Sequence, residues 1–575
     1  MRHHIRVTIA AESQQGPGQE REAGDGSEIP EWLGQLSEAE QRLWGAFPYG
    51  DTVNYSSGDS ALDDPARAAE WGPDRTIQAK VICALLLGAR APIPGRTAGV
   101  RVVGARVVGQ MELRHGRIDV PLTLRHSWIE DTVRIDESVA MSIDLTGSHT
   151  GRIIADGARI RGSLKLDGAT VTGDSALALR LDEITVDTDL SARDLRCFGP
   201  IRLIGANIGA ILRMNGCELS QPGGEALTMG GARVGRSIIM SDATIHGQVR
   251  MPGASCGSQL YLSRTRITDT PSFAFVGEAF EAVGDGLFDQ GFSADGAVIL
   301  VGARFGGIVT FRGSNVRSND DEPALHCGGM QISRGLYLNR GFRSEGEVRL
   351  IGVTIGGHLD LLGMARDTGP LSLYHATIAT IRDEGSHAWP REVLLDGLTY
   401  NAIDPYRPAK ERIDLLRRQV GGYRAQPFEF MAAYYRALGH DEEARLILME
   451  KERARRATGT PWERFVSVIF GTLVGYGYRP ARAIGFSLMI QVAASFFFAV
   501  WRPEQIRPDD HVVYYPALYA ADLFVPIVHF GQADAFQSHG FATVVAMGLP
   551  YLGWILGIAI VAGASRALAR GAISG

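Results

Sequence analysis

Asp156-Gly157-Ala158-Arg159-Ile160-Arg161-Gly162-Ser163-Leu164-Lys165-Leu166-Asp167-Gly168-Ala169-Thr170-Val171 is the stretch that decides the fold. Ala158 and Ile160, Leu164 and Leu166, and Ala169 and Val171 form three two-residue alternations, five or six positions apart. Period two is strand chemistry, but each run is too short to fold back as a hairpin, so the glycines between the runs supply corners rather than two-residue turns. The opening phrase, apolar-Gly-Ala-x-apolar, returns at Val103–Val107, Ile204–Ile208, Gly230–Val234 and Val301–Phe305, and with valine for alanine at Ile351–Ile355. A second copy lies eleven residues on, placing Cys217 after Ala206, Ala243 after Ala232, Ser314 after Ala303 and Met364 after Val353.

Four such faces take about 20 to 24 residues, the length of one coil of a parallel β-helix that stacks its apolar residues on the next coil. Spacings near 50 between major copies are then two coils. The expected class is mainly β, with a parallel β-helix over 96–400 that is right-handed by the crossover rule. An antiparallel sandwich or propeller needs hairpin signals between longer strands, and Asn215-Gly216 falls inside a repeat. The stretch from Thr268 to Asp295, with Phe273, Phe275, Phe280, Phe288 and Phe292, departs from the period and reads as a projecting loop or side helix able to meet a partner.

Composition agrees with an elongated chain. Glycine is 70 of 575 residues, about 12% against an average near 7%, without the three-residue period of collagen. A net charge of −6 gives no footing for nucleic acid. Cys83, Cys197, Cys217, Cys256 and Cys327 are scattered and odd in number, which excludes a disulfide framework or a paired-cysteine zinc site and suits a reducing compartment. No secretory signal is visible near the N-terminus.

The flanks differ from the middle. Residues 1–30 are polar and read as a disordered tail, and 31–95 as a helical cap. In the cap Asp74 stands at an N-cap, Ile77, Val81, Ala84 and Leu85 share a helix face, and Gly88 follows the end. Residues 401–458 turn helical over Pro408–Arg418, Pro427–Leu438 and Glu442–Arg456; the run Phe430, Ala433, Tyr434, Ala437, then Gly439, Ala444, Ile447 and Leu448, resembles one tetratricopeptide-like helical hairpin and reads as a collar.

Residues 459–575 read as a membrane region. Ala483–Trp501 and Gly540–Ser565 carry no charge, and each is long enough to cross a hydrocarbon core of about 30 Å. Lys451, Arg453, Arg455, Arg456, Arg464, Arg479 and Arg482 precede the first run and Arg566 and Arg570 follow the second. Arg502 and Arg507 alone stand between, beside Glu504, Asp509, Asp510, Asp522 and Asp534. The bias puts both termini in the cytoplasm of a multi-pass inner-membrane protein. Gly553 and Gly557 form a G-x-x-x-G suited to close helix packing. Tyr514–Phe530, apolar but interrupted by Asp522 and Pro526, suits a re-entrant or interfacial helix. With Gln532, these two residues are the candidates for coupling to the membrane or lining a pore.

Chemistry has few footholds. No nicotinamide, flavin, nucleotide, dithiol or metal motif appears, so no cofactor is expected. Asp156, Asp167, Asp194 and Asp360 are the carboxylates available for acid–base work on an exposed β-helix face. His246, His326 and His358 read as solvated turn residues. Gly475-Tyr476-Gly477 precedes the first apolar run instead of lying between the two, the wrong place for a potassium-channel filter.

Gly475-Tyr476-Gly477-Tyr478-Arg479-Pro480, Leu523-Phe524-Val525-Pro526-Ile527-Val528 followed by Gly531-Gln532, and Gly553-Trp554-Ile555-Leu556 before Ala562-Gly563-Ala564-Ser565-Arg566 resemble the C-terminal region of bacterial proteins with a β-helical, pentapeptide-repeat-like front and a two-span tail. Such proteins are often labelled membrane-associated oxidoreductases. The five-residue rule of pentapeptide repeats is not kept here. The resemblance implies a bilayer-anchored architecture and no defined chemistry. The expected function is a membrane-anchored scaffold or sensor that recruits a protein partner, with homo-oligomers allowed. The alternatives are an oligomeric pore regulated by the solenoid and, third, a β-helix enzyme or oxidoreductase.

Overall fold

The computed structural model describes residues 29–318, 322–457, 480–507, 512–525 and 527–571. The tail up to residue 28, the Gly475-Tyr476-Gly477 tripeptide and Pro526 lie outside them. The chain forms a β-solenoid of about 13 turns, with helices in its N-terminal region and toward its C-terminus. It divides into two compact units, one comprising Met1–His326 with Gln331–Ser333, the other Cys327–Met330 with Arg334–Gly575.

In the first unit, short strands pair in parallel with the strand one coil on. Arg159 is level with Thr185, Thr185 with Asn207, Asn207 with Arg233, Arg233 with Ser255 and Ser255 with Glu281. These steps alternate between 26 and 22 residues, so two coils make the repeat near 50 that the sequence shows. Every described ladder of the solenoid is parallel, which removes the sandwich and propeller alternatives. The second unit holds the same ladders, such as Thr354 level with Thr377 and Thr377 with Thr399.

The recurring Gly-Ala phrase has a local cause. Gly157, Gly168, Gly205, Gly231, Gly253 and Gly302 all have φ between +61° and +66°, a left-handed corner that a Cβ disfavours. The residue after each corner, such as Ala158, Ala169 or Ala206, turns inward and is buried. Where glycine is absent the corner persists, as at Glu183, Asp194, Asp242 and Ala279. A second glycine column has another cause. A Cβ on Gly235 would overlap the Gly209 carbonyl oxygen, and one on Gly257 the Gly235 carbonyl oxygen, because successive backbones close on one another at this corner.

The phenylalanines expected on a projecting loop are instead in the core. Phe275, Phe280, Phe288 and Phe292 are fully buried and Phe273 partly so, with Phe273 and Phe275 on the strand Phe273–Val276 and Phe292 just before the strand Ser293–Asp295, both of which keep the coil period. Phe288 stacks on Phe311 with centroids 4.9 Å apart and meets Phe275 and Phe292 edge-on. Neighbouring coils compensate in volume. Gly286 stands level with Leu260 one coil before, and a Cβ there would strike the Phe305 ring.

The N-terminal cap mixes helix with strand. Helix α1 (Glu38–Ala46) starts in a capping box in which the Ser37 N–H donates to Glu40 Oε2 and the Glu40 N–H to Ser37 Oγ. Helix α2 begins later than the sequence suggests, at Ala79–Leu86. Ile77 is drawn into a strand level with Val107, and Asp74 lies in a 3-10 turn. Arg75 ties the cap to the first coils: it lies 3.9 Å over the Trp71 ring, donates to the Gly104 carbonyl at 3.0 Å, and pairs with Asp63 at 2.8 Å.

In the second unit the last strand, Thr399–Asp404, leads into the collar helices α3 (Ala409–Arg417), α4 (Gln426–Ala437) and α5 (Asp441–Ala457), close to the expected bounds. Beyond them lie α6 (Pro480–Val500), α7 (Pro516–Phe524) and α8 (Phe541–Gly571). Among the described residues one helical stretch, Phe541–Ile558, is long and apolar enough to cross a membrane, and Ile484–Val500 is a shorter apolar run.

The corners give a paired test. Ala279 pays the left-handed penalty with no glycine, whereas Gly302 has open space where a Cβ would go. Ala279→Gly is expected to raise stability by about 1 kcal/mol and Gly302→Ala to lower it by a similar amount, read from denaturant midpoints of the intact chain.

Candidate functional site

The carboxylates considered for catalysis are held in ion pairs between coils or at corners. Asp167 accepts from Ser191 Oγ at 2.6 Å, from the Arg193 N–H at 2.9 Å and from Arg193 Nη2 at 2.7 Å. Asp156 pairs with Arg180 at 2.5 Å, and Asp194 occupies a left-handed corner. Asp360, in the second unit, is buried, accepts from the Leu362 N–H and pairs with Arg382 at 3.4 Å. The pattern recurs along the first unit in Arg125–Asp144, Asp182–Arg202, Asp189–Arg213 and Asp242–Arg264. These are struts between coils, each reaching a partner about 20 residues away in sequence.

Their electrostatics follow from this pairing. Burial pushes Asp144 and Asp167 up, but the guanidiniums of Arg125 and Arg193, with hydroxyl and backbone donors, outweigh it and hold both carboxyls below the usual range. Asp156 goes the other way, raised by burial despite Arg180. His246 lies on a strand, not a turn, with Nδ1 2.7 Å from Asp269 Oδ2. His326 and His358 are also on strands. No group of three or more His, Cys, Asp or Glu among the described residues is placed to hold a metal ion. All five cysteines are buried, and desolvation pushes the Cys83 and Cys256 thiols up to about 11, which leaves them unreactive.

The region with unusual chemistry is the helical module at the end of the second unit. Its inner face is small, aromatic or hydrogen-bonded. Ala494 and Phe498 of α6, Tyr519, Ala520 and Phe524 of α7, and Ala542, Leu549 and Leu556 of α8 are buried together. The last three recur every seven residues, the spacing of a helix–helix seam. Phe498 meets Tyr519 edge-on at 5.0 Å, and Gln491 Nε2 donates to the Ala517 carbonyl at 3.0 Å.

Asp522 and Gln532 serve this interior. The Asp522 side chain is 1% exposed. Its Oδ1 accepts from the Phe530 N–H at 2.7 Å and its Oδ2 from the Ala533 N–H at 2.8 Å. Gln532 Oε1 accepts from the Tyr515 N–H and its Nε2 donates to the Val513 carbonyl. Both residues thus satisfy backbone groups of the segment between α6 and α8. The G-x-x-x-G motif splits in role. A Cβ on Gly553 would overlap the Phe524 carbonyl oxygen, so this glycine admits the end of α7, whereas Gly557 faces open space.

The outer face is the reverse of a soluble helix bundle. Leu488, Val492, Phe496 and Val500 of α6, four residues apart, are each at least 60% exposed, and Val544, Met547, Tyr551, Trp554 and Ile558 of α8 are similarly open. Only 22% of Phe541–Ile558 is buried. An apolar face this continuous is uncommon on a soluble domain, and 18 helical residues reach about 27 Å, close to the about 30 Å of a bilayer core. Sequence reasoning found the apolar runs but not the inward use of Asp522 and Gln532, whose partners are backbone groups 8 to 19 residues away.

Compared with family models, curated proteins and solved structures, the chain matches none.

Two outcomes follow. The depressed carboxyls stabilise the fold above the ordinary aspartate value of 3.8, and that contribution is lost as pH falls through their lower folded values. The melting midpoint should therefore hold down to about pH 4 and drop below it, and the deficit of Arg193→Gln at pH 7 should shrink at pH 3. In the helical module, Gly553→Val is expected to destabilise by about 1–3 kcal/mol through overpacking against α7, while Gly557→Val leaves the detergent-solubilised melt unchanged.

Proposed function

We propose that this chain is a membrane-anchored scaffold or sensor. In this reading a right-handed parallel β-helix lies on the cytoplasmic side of a bacterial inner membrane. It is held there by two spans, α6 and α8, with both termini cytoplasmic, and recruits a protein partner. The observation that carries the anchor is the inverted character of the helical module, with large apolar residues outside and a hydrogen-bonded interior inside. The arginine bias around the two apolar runs supports the orientation. α7, seated against both helices, fits a re-entrant element, because a carboxylate and an amide supply partners to the surrounding backbone at membrane depth.

For the solenoid, the struts between coils favour recognition over catalysis. Carboxylates already committed to arginines hold their geometry and present a regular charged surface, and even Asp156, the one raised by burial, is tied to Arg180 at 2.5 Å. The resemblance to β-helical proteins with a two-span tail agrees with the anchor and adds no reaction.

Membrane fractionation and flux measurements test the reading together. The intact chain is expected to resist alkaline extraction, and Val492→Arg with Val544→Arg, on the two outer faces, to release it into the soluble or aggregated fraction. Proteoliposomes carrying the chain should show no ion flux above empty vesicles. A conductance abolished by Asp522→Asn would replace the scaffold with a pore.

A further inference from the structure

The segment that joins α6 to α7 and the one that joins α7 to α8 are tied to each other. Glu504 and Gln505 pair in antiparallel register with Gln537 and Phe536, and the Ile506 N–H donates to the Ala535 carbonyl at 2.9 Å. The next residue on each segment is charged: Arg507 follows Ile506, and Asp534 precedes Ala535. Opposite charges facing one another across such a pairing ordinarily bond. Here they do not, and neither side chain has an ion-pair or hydrogen-bond partner among the described residues. Both are exposed and both line one half-open hollow of about 370 Å³, with Gln505, Ile506, Gly531 and Ala535 as the rest of its wall. Gly531, at φ +76°, gives that wall backbone and no side chain.

The lining selects by charge. A guanidinium offers a planar fork that matches a carboxylate, and a carboxylate accepts from an ammonium. With one of each, the wall carries no net charge, so a ligand of one sign is attracted at one side and repelled at the other. A ligand that carries both charges is attracted at each. The volume falls among those of small-molecule pockets, about 300–1,000 Å³. We propose that this hollow binds a zwitterionic small molecule of the α-amino acid class, its carboxylate on Arg507 and its ammonium on Asp534. The proposal deepens the sensor reading and rests on it for its meaning: in that topology the segment between the two spans lies on the non-cytoplasmic side, and the ligand is an external one.

Thermal shift of the detergent-solubilised full chain tests this, with each common L-amino acid added singly. At least one is expected to raise the melting midpoint in a concentration-dependent way. Its O-methyl ester and its N-acetyl derivative, each lacking one charge, are expected to bind about tenfold or more weakly. Arg507→Gln and Asp534→Asn should keep the ligand-free midpoint and each lose the response. The proposal is overturned if no amino acid shifts the intact chain, if the single-charge derivatives act as well as the parent, or if the response survives both substitutions. The derivatives are compared on the unaltered chain, so a variant that fails to fold does not blunt the test. Binding is read in detergent and alkaline extraction in membranes, so loss of the ligand and loss of the anchor are separate results.

Discussion

Everything in the solenoid depends on one constraint: successive coils must stay in backbone hydrogen-bonding register while the chain turns sharply within each coil. The corner is where the two demands meet. A left-handed residue reverses direction in a single step, and the next side chain, now pointing inward, must be small or must be matched by a gap in the neighbouring coil. Gly157 followed by Ala158 meets both demands locally. Ala279 followed by Phe280 shows the same corner kept at a cost, because the backbone ladder overrides the preference of the residue.

That distinction explains what the sequence made legible. The corner-plus-small-residue signature is local, so the repeat, its coil length and its two-coil period can be read from adjacent residues. Volume compensation is not local. Phe305 fits because Gly286, on the coil before, leaves room for its ring, and no neighbour in sequence announces this. The aromatic cluster around Phe288 therefore resembled an excursion when it is a wider section of the core. The same reasoning covers Ile77. Its helical spacing with Val81 is real, but the unpaired edge beside Val107 takes it as strand, so α2 starts after Gln78.

The charged surface depends on register in the same non-local way. Asp167 and Arg193 are 26 residues apart in the chain but adjacent on the stack, so a list of acids looks like a set of free carboxylates until the register is known. Exposed pairs contribute little singly. Repeated on coil after coil, they tie each coil to the next in one register. A surface built this way is stiff and chemically regular, which suits recognition by shape and charge pattern.

The helical module follows the same bookkeeping of polar groups. In water, a segment such as 512–537 would leave its backbone N–H groups to the solvent. Here Asp522 and Gln532 supply partners to Phe530, Ala533 and Tyr515 from within, while α6 and α8 turn valine, leucine and phenylalanine outward. An ionisable side chain buried among apolar helices is expensive unless several donors meet it, and two backbone N–H groups meet this one. Asp522 is thus the residue that lets an irregular segment pack among apolar helices with its N–H groups paired.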